Sequence, residues 1–192
     1  MSVSREAVLQ RVRAALGSQP AVPQVPRNYR RTSGGGVDLF CERVADYVAT
    51  VHRVTSVEQV PVAGRVVAAP AFVREGVTTD GPHIAPAELD GFDAALTGCA
   101  LAIAETGTIV LDGGPASGRR ALTLVPDHHL CVVREDQIVA SVPEAIEALA
   151  QAARDGRPIT FVSGPSATSD IELERVEGVH GPRRLDVFVV SA

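Results

Sequence analysis

The sequence predicts an α/β domain in which helices cover a mostly parallel sheet, and three observations carry that reading. From Asp93 onward the chain is a succession of short apolar runs at 94–96, 101–104, 108–111, 130–133, 138–140, 159–162 and 185–190. Most are β-rich and continuous rather than alternating. Continuous apolar strands are buried on both faces, as strands are in a parallel sheet flanked by helices. The segment 143–154 spaces Ala145, Ile146, Leu149, Ala150 and Ala153 at helical intervals and supplies one covering helix. A chain of 192 residues, 45% hydrophobic and 21% charged, suits one hydrophobic core rather than two catalytic domains.

Earlier elements follow in order. Residues 4–16 place Val8, Leu9, Val12, Ala15 and Leu16 on one stripe of an amphipathic helix ended by Gly17. Pro20, Pro23 and Pro26, then Gly34-Gly35-Gly36, make 17–36 an extended linker. The chain therefore divides into an N-terminal helix with a Pro/Gly linker over 1–36 and an α/β domain over 37–192. A second helical pattern at 38–51 carries Leu39, Phe40, Val44, Tyr47, Val48 and Val51 on one side. Strands are predicted at 51–54 and 65–69, and the Pro/Gly-bearing region 70–86 reads as loop with room for a short helix.

Composition excludes several function classes. A net charge of −5 argues against nucleic-acid binding, which needs a basic face to neutralise phosphates. Every one of the 18 basic residues is Arg, so Schiff-base chemistry and a P-loop lysine are absent while guanidinium clamps for anions remain. With no Trp, 5 Phe and 2 Tyr, an aromatic platform for stacking bases is not expected. Cys41, Cys99 and Cys131 are far apart and sit among apolar neighbours, as buried reduced thiols do. With no C-x-x-C pair, this chain is not expected to hold an iron–sulfur cluster or a structural zinc by itself. Without a signal-peptide pattern or a membrane-length apolar run, a cytoplasmic location is expected.

Four segments carry candidate chemistry, each at the end of an apolar run. In Glu105-Thr106-Gly107-Thr108, Gly107 permits a tight turn and Glu105 is placed to move a proton or orient a hydroxyl; a plain hairpin turn explains the same residues. Asp127-His128-His129 precedes a strand, where adjacent histidines point to opposite faces and cannot readily share a metal. One histidine can face a pocket, or both can be ordinary hydrogen-bonding residues. The loop Ser163-Gly164-Pro165-Ser166-Ala167-Thr168-Ser169-Asp170 offers hydroxyls and backbone N–H groups to an anion, or caps a short helix over 170–174. Asp170 and Glu172 oppose a phosphate there unless Arg183, Arg184 or a metal offsets them. Finally, His180-Gly181-Pro182-Arg183 sets a group that titrates near neutral pH in a glycine turn. The hydrolase elbow, zinc-protease and dinucleotide fingerprints do not occur.

Taken together, the segments 103–108, 126–129, 163–172 and 178–183, in this order and spacing, resemble the lactate utilization protein C family, also called the LUD domain. The resemblance covers roughly residues 37–190 and is strongest over the last hundred. It implies a three-layer α/β/α fold similar to the group of ribose-phosphate isomerase, glucosamine-phosphate deaminase and coenzyme A transferase. It also implies a three-protein system that oxidises L-lactate to pyruvate, in which partner subunits carry the iron–sulfur cysteines and this chain is the clusterless member.

By that resemblance and the preference of α/β folds for the strand carboxyl ends, one cleft is expected there. Thr106, Gly107, Thr108, His129, Ser163, Gly164, Ser166, Thr168 and Arg183 are its expected binding residues, and Glu105, His180 and Asp170 its catalytic candidates. Arg183 would hold a carboxylate and the Ser/Thr loop an anionic moiety. The competing expectation is a free-standing enzyme whose cleft takes a phosphorylated, folate-like or coenzyme A substrate; no cofactor is assigned on either.

Overall fold

The structure is a computed structural model describing residues 4–17, 23–169, 175–178 and 180–191. With strands numbered in chain order, six of them form one wholly parallel sheet. Its order is β1 (Thr50–Val54), β12 (Arg184–Val190), β7 (His128–Arg134), β4 (Ala94–Gly98), β2 (Val66–Ala68) and β3 (Val77–Thr79). Four others, β8 (Ile138–Val139), β5 (Leu101–Ile103), β6 (Thr108–Leu111) and β9 (Thr160–Val162), form a second, mixed sheet in that order. There β5/β6 and β6/β9 are antiparallel and β5/β8 parallel. A small antiparallel hairpin pairs β10 (Ala167–Ser169) with β11 (Arg175–Glu177).

The α/β class with a parallel sheet is thus observed, and the apolar runs divide between two sheets. The physical reason is burial. A strand sandwiched between another sheet and a helix is apolar on both faces whichever way its neighbours run, so the pattern reports enclosure, not direction. On one side of the small sheet, Ala102, Ile109 and Leu111 meet Cys131, Val133, Val187 and Val189 of the main sheet. On the other, Leu101, Ile103 and Val110 meet Ala145 and Leu149.

Helix α2 (Val37–Asp46) closes the first of these cores by burying Phe40 and Val44, one turn apart on a single face, at roughly 2 kcal/mol of transfer free energy each. The helix expected over 143–154 is two short pieces, α4 (Val142–Ala148) and α5 (Ala150–Arg154), meeting at Leu149. Its start follows the sequence rule, with Pro143 in the first turn and the Ser141 N–H donating to the Glu144 carboxylate at 2.9 Å.

The back of the main sheet, with Leu96, Leu130, Val132 and Phe188, is closed by Val57, Val60, Val62 and Phe72 from connecting segments. The region 70–86 holds a 3₁₀ turn (Pro70–Phe72) and a short edge strand, β3, and helix α3 (Pro86–Leu89) begins at its end. Helix α1 (Arg5–Leu16) buries no residue; Ser4 Oγ accepts the Ala7 N–H at 3.3 Å, and Val8, Val12 and Leu16 stay exposed. Linker residues are tied to the body: Ser33 Oγ donates to the Ala140 carbonyl at 2.8 Å, and Ser141 Oγ to the Arg31 carbonyl at 3.0 Å. Among the described residues, no helix is long and apolar enough to cross a membrane.

Candidate functional site

A cavity of about 460 Å³ opens where the loop after β9 crosses the amino ends of β7 and β12. Its lining includes Tyr47, Arg120, Thr123, His129, Phe161 and Leu185, with Val162 and the stretches 163–167 and 180–182. The cleft was expected at the strand carboxyl ends, and the main sheet places it at the opposite edge. Chain continuity explains the difference: the segment leaving β9 must deliver the chain to the first residue of β12, so it lies across the amino edge.

His129 enters from β7, level with Leu185 on β12 and Ala95 on β4. It is buried, shares a 2.7 Å hydrogen bond through Nε2 with Thr97 Oγ1, and is pushed down to a pKa of about 4. Burial is the largest cause, followed by the nearby positive charges of Arg120 and His128. The ring is therefore neutral at pH 7. His128 points to the opposite face, as the strand period requires. There its Nε2 lies 2.6 Å from Asp186 Oδ2, with His52 Nε2 at 3.7 Å from Oδ1 and stacked on Phe188.

Arg120 supplies the charge. Its neighbour Arg119 grips the buried Asp80 carboxylate, Nε donating at 3.0 and 2.9 Å and Nη2 at 2.8 Å, and Nη2 also donates to the Ile84 carbonyl at 2.7 Å. That anchor fixes the 3₁₀ turn Arg120–Thr123. Arg120 Nη1 then donates to Thr123 Oγ1 at 2.7 Å and to the Thr123 carbonyl at 3.2 Å. No carboxylate lines the cavity among the described residues, and partial burial pulls the Arg120 guanidinium below its ordinary range.

The loop forms the facing wall. Ser166 donates its N–H to the Pro182 carbonyl at 2.8 Å, accepts the Gly178 N–H on its own carbonyl at 2.8 Å, and accepts the His180 N–H on Oγ at 3.0 Å. These bonds clip 166 to 178–182 and hold His180 at the exposed rim. Gly164 has φ +130°, and a Cβ there would come within 2.8 Å of Tyr47 Cβ and its carbonyl oxygen, so only glycine lets the loop pass.

The expected site residues therefore separate. His129, Ser163, Gly164, Ser166 and His180 gather around the cavity. Glu105, Thr106 and Gly107 form the β5–β6 hairpin turn, Thr108 opens β6, and none of the four lines the cavity. Glu105 accepts the Arg30 guanidinium at 2.7 Å and the Val142 N–H at 2.8 Å, binding the linker and capping α4. Gly107, at φ +59°, lies so close to α2 that a Cβ would sit 2.5 Å from the Arg43 carbonyl carbon.

A hydroxyl chain joins turn and loop: Thr106 Oγ1 to Thr108 Oγ1 at 2.8 Å, and Thr108 Oγ1 to Ser163 Oγ at 2.7 Å. Arg183 pairs with Asp127, Nε donating at 2.8 and 3.0 Å, which holds the Asp127 carboxyl below its ordinary range; it is not among the lining residues. Thr168 lies in β10, in a strand rather than a helix cap. Asp170 lies outside the described residues. Arg120, Thr123, Tyr47 and Phe161 were not foreseen. The pair Arg119-Arg120 ahead of an apolar stretch is the one sequence signal that pointed to them. Among the described residues, no group of three or more His, Cys, Asp or Glu side chains is arranged to hold a metal ion.

The fold defines an α/β domain with a mixed second sheet packed on a parallel one and a cavity at one edge. Its family follows from comparison: the LUD domain model matches residues 85–190, and the chain belongs to that family. The chain is 49% identical over 193 aligned positions to the Lactate utilization protein C of Deinococcus radiodurans, a match covering 93% of this chain and 91% of that protein. It is 34% identical to the Lactate utilization protein C of Shouchella clausii over 52% of this chain and 44% of that longer protein. A crystal structure of a DUF162 family protein from Deinococcus radiodurans superposes with a TM-score of 0.65 at 43% identity, covering 80% of this chain and 94% of that one.

Proposed function

We propose that this chain serves lactate utilization, as the cytoplasmic, clusterless subunit of a system oxidising L-lactate to pyruvate. The observation that supports this best is the 49% identity, over almost the full length of both chains, to a protein named for lactate utilization. The cavity chemistry agrees: an arginine with no carboxylate partner among the described residues, beside a neutral histidine and serine hydroxyls, suits an organic acid. Arg120 takes the anion, Ser163 and Ser166 orient it, and His180 stands at the rim. The partners are iron–sulfur subunits. The test is growth on L-lactate of a deletion strain complemented with the wild-type chain or Arg120→Met, with co-purification of the tagged chain. Loss of growth with Arg120→Met and recovery of iron–sulfur partners are expected; growth of the deletion strain without complementation refutes the role.

One observation favours a second reading, a free-standing enzyme acting on a phosphorylated, folate-like or coenzyme A substrate. Cavities of about 300–1,000 Å³ enclose ligands of drug size, and lactate fills a small fraction of 460 Å³. Under that reading a phosphate ester or folate raises the melting temperature of the isolated chain and lactate does not.

A further inference from the structure

The cavity carries more information about its ligand than the sign of one charge. Among the described residues, Arg120 is the one guanidinium in its lining and no carboxylate lines it. The Arg120 Nε and Nη2 groups have no partner among the described residues, because only Nη1 is engaged by Thr123. The Ser166 hydroxyl accepts the His180 N–H, which leaves its own proton to donate. His129 brings a neutral ring, so this end presents one positive charge and several donors. One guanidinium edge matches a carboxylate in two parallel bonds, whereas a phosphate dianion at neutral pH leaves a second charge without a cation.

Thr123, Ser163 and His180 add polar groups to the lining, and a distinct part of it is apolar. Tyr47 and Phe161 face the same cavity with about half of each residue exposed, 51% and 47%. Val162, Pro165, Pro182 and Leu185 extend this apolar part of the lining. Half-exposed aromatic rings on a concave surface gain from a ligand that removes them from water, at roughly 25 cal/mol per Å² buried. A molecule the size of lactate or pyruvate reaches the cation and leaves this apolar wall wet.

We propose that the cavity takes a monocarboxylic acid built on a flat ring, its carboxylate on Arg120 and Ser166 and its ring against Phe161 and Tyr47. The inference rests on the reading that this cavity is the functional site, and it assigns the site a ligand larger than lactate. In the lactate system that ligand is a second component beside lactate.

The test is calorimetric titration of the full chain with benzoate, 4-hydroxybenzoate and nicotinate, against L-lactate, pyruvate, inorganic phosphate and AMP. The ring acids are expected to bind at least about tenfold tighter than lactate or pyruvate. Arg120→Met is expected to weaken benzoate about tenfold or more, and Phe161→Ala to weaken benzoate while leaving pyruvate within about twofold. Thermal melts of both variants confirm that they fold. Lactate or pyruvate binding as tightly as benzoate overturns the proposal. So does AMP or phosphate binding more tightly than every carboxylate, or no carboxylate binding at all. The growth assay reads the lactate role separately: ring acids bound by a chain dispensable for growth on lactate refute the pathway and keep the ligand class.

Discussion

The turn at 104–108 and the loop at 163–166 carry the same residue types, a glycine among hydroxyls at the end of an apolar run, and the fold puts them to opposite uses. In the turn, the Glu105 carboxylate and the two threonine hydroxyls are bonded to protein groups. Glu105 holds Arg30 and the α4 amide, and Gly107 presses on the backbone of α2. The loop is instead held at Ser163 and Ser166, and its open side forms the cavity wall. Small hydroxylated residues mark places where the backbone is approached closely; whether protein or a ligand makes the approach depends on what the tertiary fold packs there.

That contrast can be broken from either side. The largest effect is expected at the turn. Gly107→Ala drives a methyl into the α2 backbone at a positive φ, and should cost about 3 kcal/mol in urea denaturation while the folded fraction keeps its ligand affinity. A loss under about 1 kcal/mol would show that the contact yields.

Acid should act on the cavity side. His129 has its pKa lowered from 6.5 to about 4 in the folded chain, so the unfolded chain binds more protons between those values. Its contribution is complete above pH 6.5 and is lost as pH falls toward 4, a decrease of roughly 3 kcal/mol. Urea midpoints measured across this range should fall steadily, and His129→Gln should flatten that part of the profile.

Thr108→Val tests the joint between the two regions. It leaves Ser163 and Thr106 without their shared partner, and about 1–2 kcal/mol of stability should go with it, along with a roughly threefold weakening of ligand binding. Unchanged binding would mean that the wall does not need the turn.

The smallest effect is expected for Glu105→Gln. It keeps an acceptor for the Val142 N–H and loses only the charge opposite Arg30, whose side chain is 71% exposed, so stability should shift by less than about 1 kcal/mol. Ligand affinity should not move. A large loss of affinity would place Glu105 in the binding machinery after all.

Much of the fold was legible because burial writes itself into the sequence. Phe40 and Val44 on one helix face, the apolar runs of β7 and β12, and the Pro143–Glu144 start of α4 all correspond to packing that the structure shows. The opposite facing of His128 and His129 was legible too, since the strand period alone fixes it. Strand direction was not, because β6 is as enclosed as β7 despite antiparallel neighbours. The cavity was half legible. Its loop and histidines carry local signatures, whereas Arg120 acquires its place from Asp80, 40 positions away, through the grip on Arg119. Arg183 reads as the anion holder from its neighbours and turns instead to Asp127.

The cavity-lining stretch 180–182 runs through Arg183 into β12 and so couples occupancy of the cavity to the middle of the sheet. Strand β12 is bonded to β1 on one side and β7 on the other, and the same few residues that contact a ligand precede its first ladder bond. A bound molecule therefore bridges the entry points of two adjacent strands and the exit of a third from the other sheet. Amide protons along the first turns of those ladders should exchange more slowly when the cavity is filled, and the two sheets, joined at that corner, should unfold as one unit rather than two.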